Sequence, residues 1–418
     1  MTGAERRTVV DVGLRGPAGF RGWSGGRGDV VTVSAVTATA GYLPGPIEPG
    51  AWTVLLGVPN IRPGSVDRFT VTVTLHDTDR PVDGPVVRTA PGWYAGDLHA
   101  HSAHSDGRVR VGTPRAVGAP PFLVFAAAAR EGLDFITLSD HNTVSHWLEV
   151  DRLQPYFDTL LLLHGREVTT YRGHANTAGE RAFSEFRLAS PDASPAALMR
   201  AIRESGAFVS INHPGRPDDE TCMGCGWNVT DDEMLGAVDG VEVVNGMTRS
   251  GDQWGWPLWA AWLNRGARLT AVGGSDEHTP DETDDYAVGQ PTTVVWADEL
   301  SEGGIVRGLK SGRVYIRTRG PRGPSLEFHA TQGGTRVEMG AALDVAGETD
   351  VEFVADVDGA DGQTLEWIRN GEIVATQPAS RHASRMLRVA PGDWVAIMVR
   401  EAGDPTVIGN PIYVGPRR

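Results

Sequence analysis

Along the first 92 residues, apolar and polar positions alternate in short runs, as in Asp29 to Val36 (DVVTVSAV), Trp52 to Val58 (WTVLLGV) and Phe69 to Leu75 (FTVTVTL). Successive side chains of a strand point to opposite faces, so a period of two marks strands with one buried side. Pro and Gly punctuate the runs at Leu43 to Gly50 (LPGPIEPG), and the stretch predicts a β-sandwich-like domain over 1–92. From 93 to 318 short apolar runs alternate with helical stretches, the pattern of parallel α/β units. The strand-like runs end at Asp97 to His99, Phe135 to Leu138, Leu160 to Leu163, Phe208 to Ile211, Val241 to Val244 and Leu269 to Val272; helices are predicted over Phe122 to Arg130, Pro195 to Glu204 and Trp254 to Asn264. After the turn Thr318 to Gly323, strand patterns return in Val351 to Val357, Leu365 to Ile368 and Trp394 to Val399, which predicts a C-terminal β domain over 319–418.

Composition narrows the function classes. A formal charge of -15 disfavours tracking along a polyanion, which needs a basic face to displace counterions. With no basic tract either, a nuclease or proofreading role is disfavoured and a small-molecule substrate is expected. Lys310, in a helix-like stretch, is the single lysine, so Schiff-base chemistry is set aside. Cys222 and Cys225 form one Cys-x-x-Cys, too few ligands for a structural zinc site; they are expected in a loop, as a reduced pair or as a disulfide bracing it. Residues 1–30 lack the apolar run of a signal peptide and no stretch approaches ~18 continuous apolar residues, so a soluble cytoplasmic protein with no membrane partner is the expectation. No pattern selects an oligomeric state.

The chemistry concentrates in the middle region. Nine of the twelve histidines fall there, in the contexts GDLHAHSAHSDG (His99, His101, His104, Asp106), LSDHN (His141), REVTTYRGHAN (Glu167, His174), INHP (His213) and GGSDEH (Asp276, His278), with His146 and His164 between them. Nearly every context follows a predicted strand. In α/β barrels the C-terminal strand ends converge on one face, so residues distant in sequence can meet there. His99 and His101, two apart on a strand end, point to the same side and suit one ion. Imidazole and carboxylate donors suit zinc, manganese or iron, and Glu167 is the natural bridge because a carboxylate can join two ions.

These strings, HxHxxxxDG, SDHN, ExTxxxGHxN, NHP and SDxH in that order, resemble the PHP family, named after polymerases and histidinol phosphatase, and within it the carbaryl-hydrolase-like group. The resemblance covers about 93–318 and extends in type to the flanking β domains. It implies an α/β fold, a distorted (β/α)7 barrel between β-sandwich-like domains, with two to three divalent transition-metal ions (zinc, manganese or iron). It assigns His99, His101, Glu167 and Asp276 to a first metal, Glu167, His174 and His213 to a second, and Asp106, His141 and His278 to a third. Asp106 stands where some relatives have histidine, a departure that bears on metal preference. The implied reaction is hydrolysis, foremost of phosphoesters, by a hydroxide held between metals at Glu167 and Asp276.

Other residues receive lesser roles. His146 and His164 are expected to be structural, Asp140 to support the ligands, and His104 to contact substrate rather than metal. Of Arg166, Arg172, Arg216 and Arg249, which lie near ligands or strand ends, Arg216 is chosen as the substrate-binding guanidinium. Gly215 to Asn228 is expected to roof the pocket, with Trp227, Trp254 and Trp256 either lining it as aromatic walls or packing in the core. Two rival readings stand beside phosphoester hydrolysis: carbamate, ester or amide hydrolysis at the same site, and a non-catalytic metal-binding scaffold.

Overall fold

In the computed structural model the described residues are 9–24, 30–35, 37–61, 63, 64, 66, 68–76, 85–110, 112, 115–190, 193–220, 222–227, 229, 232–246, 255–280 and 287–415. The chain divides into two compact units, Met1–Gly84 and Pro85–Arg418.

In the first unit, Val9–Gly16 pairs antiparallel with both Gly19–Ser24 and Thr53–Asn60. The Tyr42 hydroxyl fastens a following turn to this sheet by donating to the Val12 carbonyl at 2.6 Å. Among the described residues this is one three-stranded sheet rather than the two facing sheets of a sandwich. Asp29 and Val36, which bound one expected strand, lie outside the described residues; between them Val33 makes only an isolated bridge to Ala38. Phe69 to Leu75 keeps its alternation but enters no ladder, and Phe69, Val71, Val73 and Leu75 are exposed. Alternation sets the phase of side chains; a strand also needs a paired edge.

The second unit is mixed α/β. Its strands are β1 (Gly92–Asp97), β2 (Phe135–Leu138), β3 (Leu161–Thr170), β4 (Gly173–Ala178), β5 (Phe208–Ile211), β6 (Gly240–Asn245), β7 (Thr270–Gly274), β8 (Thr292–Ala297) and β9 (Val314–Arg317). They lie side by side in the order β7-β6-β5-β4-β3-β2-β1-β8-β9. Pairs β1/β2, β2/β3, β5/β6 and β6/β7 are parallel. The hairpin β3/β4, the pair β4/β5 and the pairs of β8 are antiparallel. Helices α1 (Pro121–Glu131), α2 (Trp147–Leu153), α3 (Ala196–Glu204), α4 (Trp256–Asn264) and α5 (Glu302–Ser311) lie in the connections. Local chemistry sets their ends: α1 starts with Pro at its first turn and stops at left-handed Gly132, and α5 starts where the Ser301 hydroxyl accepts from Gly304 N–H.

The sheet's end at β7 is tied back toward β8 and β9 by side chains. Thr293 Oγ1 bonds both the N–H and the C=O of Gly273, at 2.8 and 2.7 Å. Asn410 Oδ1 accepts from Ala271 N–H at 2.7 Å, while its Nδ2 donates to the carbonyls of Ala271 and Val314 at 2.9 and 2.8 Å. Beyond β9 the same sheet continues without a break, since β9 pairs with Asp404–Gly409, which pairs with Trp394–Glu401 and so to Thr364–Arg369 and Glu372–Pro378. A second, four-stranded sheet (Thr335–Glu338, Ser325–Gln332, Thr349–Asp358, Ala383–Val389) belongs to the same part of the chain, and a core of Phe328, Phe353, Trp367 and Val395 also takes in Val294 of β8 and Tyr315 of β9. Residues 319–415 therefore share both sheet and core with the α/β part. Among the described residues no helix is long and apolar enough to cross a membrane.

Candidate metal centre

The centre forms where β1, β3, β5 and β7 end. The Asp97 carboxylate, wholly buried, accepts from the N–H groups of His99 (3.1 Å), Ser275 (3.0 Å) and Gly289 (2.7 Å), so one side chain holds the exits of β1 and β7 together. Burial raises its pKa, which those hydrogen bonds partly offset. Gly274, the last residue of β7, is required here. A Cβ on it would stand 2.4 Å from His99 Cβ and 2.4 Å from Glu242 Oε1. His213 and Asp276 adopt left-handed backbone, φ 26° and 56°, a conformation that costs a non-glycine residue of order 1–3 kcal/mol and that the surrounding structure enforces.

Glu167, on β3, is the hub. Its Oε1 lies 3.1 Å from His174 Nδ1 and 3.2 Å from His213 Nε2, and accepts from Asn212 Nδ2 at 2.9 Å. Its Oε2 faces His141 Nδ1 at 2.8 Å, His99 Nε2 at 3.5 Å and His101 Nε2 at 3.6 Å. Asp276 Oδ1 stands 3.2 Å from His99 Nε2 and 3.1 Å from His101 Nε2. Asp106 Oδ1 completes a more exposed lobe, 3.3 Å from His278 Nε2, 3.8 Å from His141 Nε2 and 3.9 Å from His101 Nδ1.

All nine residues singled out from the motifs thus meet in one continuous cluster. Ligand atoms close enough to share an ion fall into the sets His99–His101–Asp276, His99–Glu167–His213, His141–Glu167–His174 and His101–Asp106–His141–His278. The partition differs from the motif-based one: His213 groups with His99 and Glu167 while His174 groups with His141 and Glu167, so the expected set Glu167–His174–His213 is split, and His101 also joins the Asp106 lobe.

Electrostatics fit a cation-binding site. Burial works against ionisation of Glu167 and Asp276, yet the surrounding imidazoles hold both well below the usual carboxylate range. Burial also opposes protonation of His99, but Asp276, Glu242 and Glu167 outweigh it and drive its pKa well above normal. His278 is pushed up to about 9 against burial by Asp106 and Asp276, while burial and the neighbouring His278 and His141 lower His101 to about 4. Several imidazoles therefore compensate a concentrated negative charge, a task that divalent ions also perform, releasing the protons. Two buried atoms decide the fit: Glu167 Oε2 and His99 Nε2 point into the cluster and, although His141 Nδ1 and Asp276 Oδ1 stand 2.8 and 3.2 Å away, make no well-directed hydrogen bond among the described residues. Buried polar atoms are seldom left so, and converging nitrogen and oxygen donors around them suit a transition-metal ion.

The supporting residues divide between those expected and others that are not. Asp140 accepts from Ser102 N–H and Oγ at 2.8 and 2.7 Å and from Ser105 Oγ at 2.6 Å, fixing the loop between His101 and Asp106. His146 Nε2 sits between the carbonyls of Leu138 and Gly165, and His164 between Asp151 and Glu302. His104 is outside the ligand sets, with Nδ1 2.7 Å from Ser145 Oγ. Glu242 escaped the sequence reading: its Oε1 lies 2.9 Å from His99 Nδ1 and its Oε2 accepts from His213 N–H at 2.9 Å. An acid inside the otherwise apolar strand run VEVV was the available signal.

Among the arginines, Arg216 Nη1 donates to Asp276 Oδ2 at 2.7 Å at the partly exposed rim. Arg166 is neither solvated nor at the site; it is buried in a two-bond pair with Glu180. Arg172 sits in the β3–β4 turn, and Arg249 lies outside the described residues, as do Trp254 and Asn228. Trp227 and Trp256 pack with the apolar core, Trp256 against Trp259 at 4.9 Å, rather than walling a pocket, because α4 and the 215–227 loop turn those rings inward. The loop does lie against the site, with the Met223 carbonyl accepting from His174 Nε2 at 3.2 Å.

No family model matches the chain. Over 158 residues it is 28% identical to an uncharacterized protein of Methanocaldococcus jannaschii, covering 37% of this chain and 84% of that protein. Two solved structures are similar at a coarse level. One is a two-domain protein from Bacteroides vulgatus containing a predicted PHP-like metal-dependent phosphoesterase (19% identity, 84% of this chain and 100% of that one, TM-score 0.44). The other is a candidate metal-dependent phosphoesterase from Bifidobacterium adolescentis (19% identity, 46% of this chain and 90% of that one, TM-score 0.32).

Proposed function

We propose that the chain is a metal-dependent phosphoesterase of the PHP kind, a distorted (β/α)7 barrel joined to flanking β domains. His99, His101, Asp106, His141, Glu167, His174, His213, Asp276 and His278 are proposed to hold two to three divalent zinc, manganese or iron ions. The observation that carries this reading is the single buried carboxylate of Glu167 ringed by five imidazoles from four separate segments. A structural polar core would pair such groups one to one; here each oxygen faces several donors, as a carboxylate shared between ions must.

Divalent ions bound there supply Lewis acidity and a water that ionises near neutral pH. The chain's own residues do the positioning. Glu242 engages His99 Nδ1 and so turns Nε2 toward the cluster. Asn212 and the left-handed turn at His213 fix the far side of Glu167. Arg216 places a permanent positive charge at the rim, suited to orienting a phosphoryl oxygen, and His104 is the second substrate-facing candidate.

The test is metal analysis and hydrolysis by protein purified without chelator. Two to three equivalents of transition metal and turnover of p-nitrophenyl phosphate mono- or diesters are expected. Metal content near zero sinks the site, turnover of aryl carbamates or esters alone replaces the phosphoester reading, and bound metal without any hydrolysis favours a scaffold.

A further inference from the structure

The loop beside His174 carries chemistry that the metal centre does not use. Cys222 and Cys225 are joined as a disulfide. Cys225 is wholly buried, with Sγ 3.9 Å from His174 Nδ1. One ligand atom each from His174, Cys222 and Cys225 falls within 4.8 Å of the others. Contacts independent of the sulfurs hold the loop there: Gly224 N–H donates to Asp218 Oδ1 at 2.7 Å and Cys222 N–H to Asp219 Oδ1 at 3.2 Å. Gly224, at φ 78°, packs so tightly on the β3–β4 turn that a Cβ would meet the Thr170 carbonyl at 2.2 Å, and a Cβ on Gly173 would meet the Trp227 ring at 1.9 Å. The backbone therefore keeps both cysteines near His174 whether or not the sulfurs are bonded to each other.

We propose that in the dithiol state Cys222, Cys225 and His174 form a separate site for one thiophilic divalent cation of the zinc class, and that the disulfide is its closed form. Reduction is a thiol–disulfide exchange: two external thiols give two electrons to the Cys222–Cys225 bond and their two protons to the sulfurs, leaving as an external disulfide. Cation binding then releases the two thiol protons, because thiolates are the ligands. Two sulfurs and one imidazole leave a fourth tetrahedral position open, and thiolate donors select zinc over manganese or magnesium. A consequence rests on the proposed metal centre: His174 Nδ1 faces Glu167 Oε1 at 3.1 Å and Cys225 Sγ at 3.9 Å, so an ion on the sulfurs draws one donor from that centre and weakens it without emptying it, since Glu167 keeps His99, His141 and His213 as neighbours.

The test uses the full chain, oxidised or reduced with dithiothreitol and desalted anaerobically, titrated with cobalt(II) in place of zinc. The reduced protein should bind about one equivalent more than the oxidised form and show a thiolate-to-cobalt charge-transfer band in the near ultraviolet. Oxidised protein and the Cys222→Ser/Cys225→Ser variant should lack both, and His174→Ala should weaken this site by about tenfold or more. In case the double variant misfolds, bound zinc should also shield both wild-type thiols from alkylation. Absence of the band at saturating cobalt, equal stoichiometry in both redox states, or unprotected thiols overturns the proposal. Failure of the main centre reads differently: the oxidised protein would then bind no metal while the thiolate band persists on reduction.

Discussion

Glu242 Oε1 stands 2.9 Å from His99 Nδ1, both side chains buried, while Glu242 Oε2 receives the His213 backbone N–H. One carboxylate inside β6 thereby orients residues from β1 and from the end of β5.

Glu242→Gln keeps the shape but removes the charge that fixes His99. Metal affinity should fall by about 10- to 100-fold, measured by competition with a chromogenic chelator. Unchanged affinity would show that His99 is held by its other neighbours.

Glu167→Ala removes the carboxylate shared by both halves of the cluster. Hydrolysis of p-nitrophenyl phosphate should drop to background and the bound metal by about one equivalent or more. A variant with full activity would refute the shared role.

Arg216→Ala removes the rim charge without removing a metal donor. If Arg216 orients the substrate, kcat/KM should fall by about 10- to 100-fold, as expected for a hydrogen bond to a charged group, with metal content unchanged. Loss of metal in parallel would instead assign Arg216 to holding Asp276.

Gly274→Ala tests the close approach of β7 to His99. Its new methyl has no room against His99 Cβ and Glu242 Oε1, both at 2.4 Å. About 1–3 kcal/mol of stability should be lost, seen as a lower urea midpoint, together with weaker metal binding.

His164 provides a pH dependence away from the Glu167 cluster. Burial opposes its charge, but Asp151 at 3.0 Å and Glu302 at 2.8 Å raise its pKa to about 8, above the ordinary 6.5. A folded-state pKa above the unfolded one stabilises fully below the unfolded value and loses that contribution as pH rises through the folded one. The gap corresponds to about 2 kcal/mol, present below about pH 6.5 and gone above about pH 8. Against His164→Gln, the wild type's advantage in urea denaturation should therefore shrink between about pH 6 and pH 9; a constant difference would rule out a charged His164.

Much of this was written in local sequence. β2 and β5 lie where short, mostly apolar runs place them, and α3 follows its periodicity to within a residue. β4 was illegible because GHANTA has no apolar alternation; all six residues are buried and the strand exists by pairing with β3 and β5. Phe69 to Leu75 fails in the opposite sense, with strand-like phasing and no ladder. At the site, residues at strand exits could be picked out by type and position. Glu242 and Asn212 act through contacts across strands, which spacing along the chain does not encode.

The amide of Asn410 reaches from the C-terminal part of the chain to seal the edge of β7, bonding the main chain of Ala271 as a neighbouring strand would. The composition shift near residue 318 is therefore a boundary of sequence style and not a place to cut. A fragment ending there would keep the nine clustered side chains on paper and lose the clasp that holds one wall of their vessel shut.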